Sequence, residues 1–228
     1  MYRIEHLKIF IGQQTAKLKH IVDLTEAKIA AGEPSPLCQA LKANGSDKSL
    51  GWHNYSNFYD VLFANLHISR IFEVGLGSNN TQIPSNMGAD GIPGASLRAW
   101  RDILDNALVF GADIDRAILF EEERIRTFFV DQTDPSSIKA LWGAMPHINF
   151  DVMIDDGLHT FEANSIFYNH SYEKINPGGF YIIEDIEMTN KNVTNFVDFF
   201  SAAGVNAAIY RLPYDANNID NAIAIVSL

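Results

Sequence analysis

Residues 71–78 read IFEVGLGS, a short apolar run carrying one acid and closed by two glycines with one residue between them. A run of this length, ended by glycine, has the signature of a buried strand. Glycines at such a turn let backbone approach a ligand closely and leave N–H groups free to bind it. The same rhythm repeats outward. ALVFGADI (107–114), RTFFV (126–130), FDVMID (150–155), GGFYIIED (178–185), AAIYRL (207–212) and NAIAIVSL (221–228) are further strand candidates. The stretches 94–105, 116–124, 135–141, 161–174 and 190–203 read as helices between them, and another lies around 58–67. Strands alternating with helices predict an α/β fold: a doubly wound, mostly parallel seven-stranded sheet with helices on both faces.

Before this pattern, residues 1–33 place Ile4, Leu7, Ile11, Leu18, Ile21 and Leu24 at helical spacing. EPSP (33–36) and the polar run 42–57 interrupt it. The expected organisation is a helical segment over 1–45 and one α/β domain over 46–228. A chain of 228 residues, 47% hydrophobic, buries a sizeable core without staples. Its one cysteine, Cys38, excludes an intrachain disulfide and suits a reducing compartment. With 17 basic and 28 acidic residues the net charge is −11, which argues against a nucleic-acid partner. No run of about 18 apolar residues predicts a membrane span. Glu5, His6 and Lys8 interrupt any leader-like N-terminus, so a cytoplasmic location is expected.

In open α/β sheets, ligands bind beyond the carboxyl ends of the strands. Those ends carry Gly75/Gly77, Asp113/Asp115, Asp131, Asp155/Asp156 and Glu184/Asp185. Aspartate also caps helices, but five such endings in succession exceed what capping requires. A dinucleotide fingerprint would place a third glycine at Asn80, and a polar stretch from Asn79 to Pro93 separates the turn from its helix. Both features disfavour an NAD-dependent dehydrogenase. Asp113 is placed to accept hydrogen bonds from ribose hydroxyls, and Asp131 to meet an adenine amino group.

The second half of the rim is IDDGLH (154–159) with Glu184-Asp185. Asp156, Glu184 and Asp185 at neighbouring strand ends make a hard oxygen site suited to Mg²⁺ or a similar divalent cation. His159, three residues after Asp156, is a general-base candidate, since imidazole titrates near neutrality. The other histidines have no such company.

The set E-x-G-x-G, acid, acid resembles the class I S-adenosylmethionine-dependent methyltransferases. The resemblance implies a Rossmann-like fold and a cofactor site formed by Glu73, Gly75, Gly77, Ser78, Asp113 and Asp131, with Tyr55 and Asp155 beside them. SDKSLGWHNY (46–55), ASLRAW (95–100), GADID (111–115), VDQTDP (130–135), IDDGLH and NPGGFYIIED (176–185) narrow it. Together they resemble the metal-dependent sugar O-methyltransferases of macrolide biosynthesis, of mycinamicin and tylosin type, and the cephalosporin hydroxylase-like family. That likeness implies Mg²⁺ held by Asp156, Glu184 and Asp185, with His159 and Asp156 catalytic. The expected activity is O-methylation of a sugar hydroxyl on a natural product, a nucleotide-linked sugar or a polysaccharide. Leu158 departs from the usual Ser, and the 79–93 loop is longer than usual. In place of the macrolide enzymes' large N-terminal domain stand one or two helices, a candidate surface for a homo-oligomer. Arg98, Lys48 and Arg211 are candidate contacts for an anionic acceptor. Tyr55 and His53 are open between the site, the core and solvent. A non-catalytic nucleotide-binding domain is the alternative reading.

Overall fold

One sheet runs through the protein, and its order places the rim residues side by side. The computed structural model describes residues 7–228; Ile4, assigned above to a helix, lies outside the described residues. In chain order the elements are β1 (Lys8–Ile11), α1 (Ala16–Ala31), α2 (Pro36–Asn44), α3 (Tyr55–Ala64), β2 (Arg70–Val74), α4 (Ala95–Ile103) and β3 (Leu108–Asp113). There follow β4 (Glu121–Glu122), β5 (Ile125–Phe129), α5 (Pro135–Ala144), β6 (Phe150–Asp155) and α6 (Phe161–Ser171). Then come β7 (Ile175–Ile183), α7 (Asn190–Ala203), β8 (Asn206–Arg211) and β9 (Ala222–Ser227). The sheet order is β1-β8-β9-β7-β6-β2-β3-β5-β4. The five central strands β7, β6, β2, β3 and β5 are parallel to one another, and the outer pairings are antiparallel.

The parallel strands are apolar on both faces because helices cover both. Phe72, Val74, Phe110, Met153 and Tyr181 pack on one side with Trp142 of α5, Phe167 of α6 and Phe196 and Phe200 of α7. Ile71, Val109, Val152, Ile154 and Ile182 face the other way, against Val22 of α1, Leu41 of α2, Phe58 of α3 and Trp100 of α4. Adjacent strand residues point to opposite faces, so each run fills two cores at once. Side-chain caps start several helices: Ser35 accepts from the Cys38 N–H, Asp134 from Ser136 and Thr160 from Ala163.

Among the described residues nine strands stand where seven were expected; β1 and β4 are the additions. Leu7 and Ile11, four residues apart, fit a helix face. They also fit one face of a strand, and with Ile9 they pack on the same core. Over 116–124, the expected helix is replaced by a three-residue 3₁₀ turn at Arg116–Ile118 and the β4–β5 hairpin. Arg124 turns that hairpin at φ 60°, and its guanidinium donates to the carbonyls of Leu104, Ala107 and Arg101. Those bonds fix the hairpin under the end of α4, where a helix could not supply them.

The chain winds outward from β2 through β3 to β5, then returns to β6 on the other side. The strand order therefore reverses between β2 and β6, the place where such sheets open a ligand crevice. Ladder bonds carried past the strand ends hold this crevice in register. Gly75 N–H donates to Ala112 O at 2.9 Å, Asp156 to Val74 O at 2.9 Å and Glu184 to Asp155 O at 3.0 Å.

Candidate active site

A cavity of about 490 Å³ opens at this reversal point. Its floor is the turn after β2. Gly75 (φ 90°) has no room for a side chain: a Cβ there would sit 1.9 Å from the Asp156 carbonyl oxygen. Gly77 (φ 73°) is as tightly covered, by Met87. The 79–93 loop thus folds back over the turn. Met87 N–H donates to Ser78 O at 2.9 Å, and Ser85 Oγ to Leu158 O at 3.1 Å. Ile83, Pro84 and Met87 of the loop line the cavity.

On the nucleotide side, Asp113 lies at the end of β3, facing the cavity but 7% exposed. Its two oxygens accept the N–H groups of Leu76 (2.7 Å) and Asp115 (2.8 Å). Each oxygen has a second lone pair, so an oriented acceptor remains for a ligand hydroxyl. Asp131 lines the same side, bonded through one oxygen to the N–H and hydroxyl of Thr133. Ser78 lines the cavity while its hydroxyl donates to Asp115 at 2.6 Å. Glu73 reaches the cavity wall only 1% exposed, accepting from Ser96 Oγ and Trp100 Nε1, both at 2.6 Å.

On the acid side, His159 stands between two carboxylates. Its Nε2 lies 3.2 Å from Asp156 Oδ1 and its Nδ1 3.7 Å from Asp185 Oδ2. Donor atoms of Asp156, His159 and Asp185 all fall within 4.8 Å of one another. Two carboxylates at that spacing, with an imidazole beside them, fit a divalent cation. Both His159 (φ 59°) and Asp185 (φ 52°) adopt left-handed backbone, rarely tolerated outside glycine, to aim their side chains here. Burial lowers the His159 pKa, but the hydrogen bond and charge of Asp156, with Asp185 beside it, outweigh burial and raise it to about 9.

Under the cluster lies Lys48, 3% exposed. Its ammonium bonds Asp156 Oδ2 at 2.5 Å and Glu184 Oε2, and lies 3.6 Å from Glu73. Burial opposes its charge, yet Asp156, Glu184 and Glu73 together hold its pKa well above the ordinary lysine value. Burial likewise raises Asp156, but Lys48 and then His159 bring it down to about 2. Tyr59 donates to the other oxygen of Glu184 at 2.5 Å.

Several expected site residues are therefore not brought to the cavity. Glu184, expected among the metal ligands, is 1% exposed and turned inward onto Lys48 and Tyr59. Asp155, expected at the cofactor, is fully buried, held by Gln132 Nε2 (2.6 Å) and the Tyr181 hydroxyl (3.1 Å); burial raises it to about 6. Tyr55 is buried as well, and its hydroxyl donates to Asp185 Oδ1 at 2.8 Å. It orients that carboxylate rather than lining the cavity. His53, by contrast, lines the cavity while buried, stacked on Tyr55 and bonded to Asn221 Oδ1. The three candidate anion contacts are engaged: Lys48 as above, Arg98 by Glu122 and the Pro93 carbonyl, Arg211 by Asn218. Lys48, Tyr59 and Gln132 as internal struts were not anticipated. Only the SDKSLGWHNY and VDQTDP motifs pointed to two of them.

The fold and site together define a class: a Rossmann-like α/β domain with a glycine turn and a carboxylate–histidine cluster at the sheet's reversal point. The MycE methyltransferase of the mycinamycin biosynthetic pathway, solved with Mg and SAH, shares this fold. It superposes with a TM-score of 0.61 over 85% of this chain and 54% of its own, at 21% identity.

Sequence comparison brings in particular enzymes. Over 144 residues the chain is 33% identical to the 8-demethyl-8-alpha-L-rhamnosyl tetracenomycin-C 2'-O-methyltransferase of Streptomyces olivaceus, covering 63% of this chain and 36% of that protein. Over 117 residues it is 35% identical to the demethylmacrocin O-methyltransferase of Streptomyces fradiae, covering 51% and 27%. The chain thus spans about a third of the length of the curated relatives it matches. No family model matches it. Among the described residues, no helix is long and apolar enough to cross a membrane.

Proposed function

We propose that this protein is an S-adenosylmethionine- and divalent-cation-dependent O-methyltransferase acting on a sugar hydroxyl of a small molecule or glycan, in the cytoplasm. The observation that carries this reading is the meeting of Asp156, His159 and Asp185 at the wall of a cavity floored by Gly75 and Gly77. A binding module would need the turn but not the cluster. The names of the sequence relatives, both O-methyltransferases and one acting on a rhamnosyl tetracenomycin-C, support the same conclusion.

In this reading, residues 46–228 form the methyltransferase domain. The 75–78 turn holds the amino-acid end of the cofactor, Asp113 its ribose hydroxyls and Asp131 its adenine amino group. Glu73 keeps the turn in place through Ser96 and Trp100. Asp156 and Asp185 hold the cation, with Glu184 behind them fixing Lys48. S-adenosylmethionine supplies the methyl group, and a bound divalent cation supplies Lewis acidity and offsets the carboxylate charge that raises His159. His159 Nε2 keeps its proton on Asp156 Oδ1, the shorter contact. Nδ1, which makes the longer contact, 3.7 Å to Asp185 Oδ2, receives the proton of the acceptor hydroxyl. The 79–93 loop and Leu158 cover the cavity and exclude water.

Calorimetric titration of S-adenosylhomocysteine, and separately NAD, into chelator-treated protein tests this, with and without Mg²⁺. Binding of the first and not the second is expected. NAD binding alone, or binding of neither, refutes the proposal.

A further inference from the structure

We infer that Trp52 is the platform on which the acceptor's sugar ring stacks, and that the site turns away acceptors carrying a phosphate. This rests on the methyltransferase reading and deepens it.

Trp52 is 51% exposed, yet it lines the cavity. Ile114 is the other large apolar side chain among those residues that is as exposed (47%). Ile114 follows Asp113 at the end of β3, the nucleotide side. Trp52 belongs to the opposite side, next to His53, whose Nε2 lies 3.6 Å from Asp185. A ligand reaching from the cofactor side to His159 therefore meets the indole last. The ring meets His53 edge-on at 6.2 Å and has no hydrogen bond on Nε1 among the described residues.

An exposed indole on a mobile turn would mean little, but this turn is pinned. Tyr214 accepts from Gly51 N–H at 2.9 Å and lies 3.2 Å from the Gly51 carbonyl, and Ser56 N–H donates to Lys48 O at 2.9 Å. His53 is anchored by Asn221. A rigid aromatic face with a free polar edge suits a pyranose, whose C–H face is apolar and whose hydroxyls lie at its rim.

Charge narrows the acceptor further. Asp47, Glu73, Asp113, Asp131, Asp156 and Asp185 line the cavity. Among the described residues Lys48 is the one lysine or arginine lining it, and three carboxylates surround that ammonium. Away from the cation that Asp156 and Asp185 would hold, a diphosphate beside Trp52 would find carboxylates and no lysine or arginine free of them. The uncharged glycoside fits; the nucleotide-linked sugar does not.

The test compares methyl α-L-rhamnopyranoside with dTDP-L-rhamnose as acceptors for the Mg²⁺-loaded protein, following transfer from radiolabelled S-adenosylmethionine. S-adenosylhomocysteine binding is titrated in parallel. We expect the neutral glycoside to be the better acceptor. Trp52→Ala should raise its KM at least about tenfold and change kcat by less than about threefold, with Trp52→Tyr recovering most of the loss. S-adenosylhomocysteine affinity should stay within about twofold of wild type, which shows the variant is folded. Failure of the wild type to bind S-adenosylhomocysteine sinks the methyltransferase reading itself. If it binds, three results overturn the present inference: preference for dTDP-L-rhamnose, an unchanged KM in Trp52→Ala, or transfer to neither sugar.

Discussion

Replacing Gly75 by alanine probes the joint between the two halves of the site. Two costs add. The residue sits at φ 90°, where an L side chain costs about 1–2 kcal/mol. The new Cβ would also lie 1.9 Å from Asp156 O, 2.5 Å from its carbonyl carbon and 3.0 Å from Gly157 Cα. All three are backbone atoms, so no side chain can swing away. The β2 turn or the Asp156–Gly157 peptide must shift by more than an ångström, an overpacking cost of about 2–3 kcal/mol. The sum is about 3–5 kcal/mol, which for a domain of this size lowers Tm by roughly 10–15 °C. Gly204→Ala is the control: φ is 68° there, and nothing lies within 4 Å of its Cβ position. It carries the first cost alone, roughly 3–6 °C. Melting of the two variants by calorimetry separates strain from collision, and S-adenosylhomocysteine titration of Gly75→Ala should show binding lost. If Gly75→Ala melts within about 2 °C of Gly204→Ala and still binds, the close approach of the two strand ends is wrong.

Lys48→Met leaves Glu73, Asp156 and Glu184 without their cation and should cost about 3–5 kcal/mol in chemical denaturation; a loss under about 1 kcal/mol would show the carboxylates are not held by Lys48. Tyr59→Phe removes a buried donor to Glu184 and should cost about 1–3 kcal/mol, measured the same way. Mg²⁺ added after chelation should raise Tm of the wild type but not of Asp156→Asn; equal shifts would take Asp156 off the ligand set. His159→Asn keeps a residue that tolerates positive φ and should lower kcat by at least about a hundredfold, with S-adenosylhomocysteine affinity retained. Wild-type turnover in that variant excludes His159 as the base.

How much of this was legible in the sequence depends on the range of the contact. The central strands were readable because each is an apolar run ended by glycine or acid, a signal contained in a few residues. β1 was not, since Leu7, Ile9 and Ile11 satisfy a period of two while Leu7 and Ile11 alone also satisfy a helical one. The 116–124 hairpin was hidden because its reason lies in Arg124 bonding to carbonyls about 20 residues earlier. Lys48 meets its partners 108 and 136 residues away, and no local pattern announces such a bond.

The two acid pairs show where a local pattern stops short of the side-chain directions. Asp156, Glu184 and Asp185 read as three metal-facing carboxylates, with Asp155 at the cofactor, but neighbours leaving a strand point opposite ways. One member of each pair must therefore turn inward, and a buried carboxylate is expensive unless it is bonded. Asp155 turns to Gln132 and Tyr181, and Glu184 to Lys48 and Tyr59. The second members, Asp156 and Asp185, are left facing His159. The inner acids consume the donors of the scaffold, and in doing so they fix the backbone from which the outer acids project. The pairs thus divide support from ligation, and that division predicts different losses. Asp155→Asn should lower stability more than it weakens Mg²⁺ binding, and Asp185→Asn the reverse, read by denaturation and by calorimetric Mg²⁺ titration. Matching losses in the two variants would mean that support and ligation are not divided between the inner and outer acids.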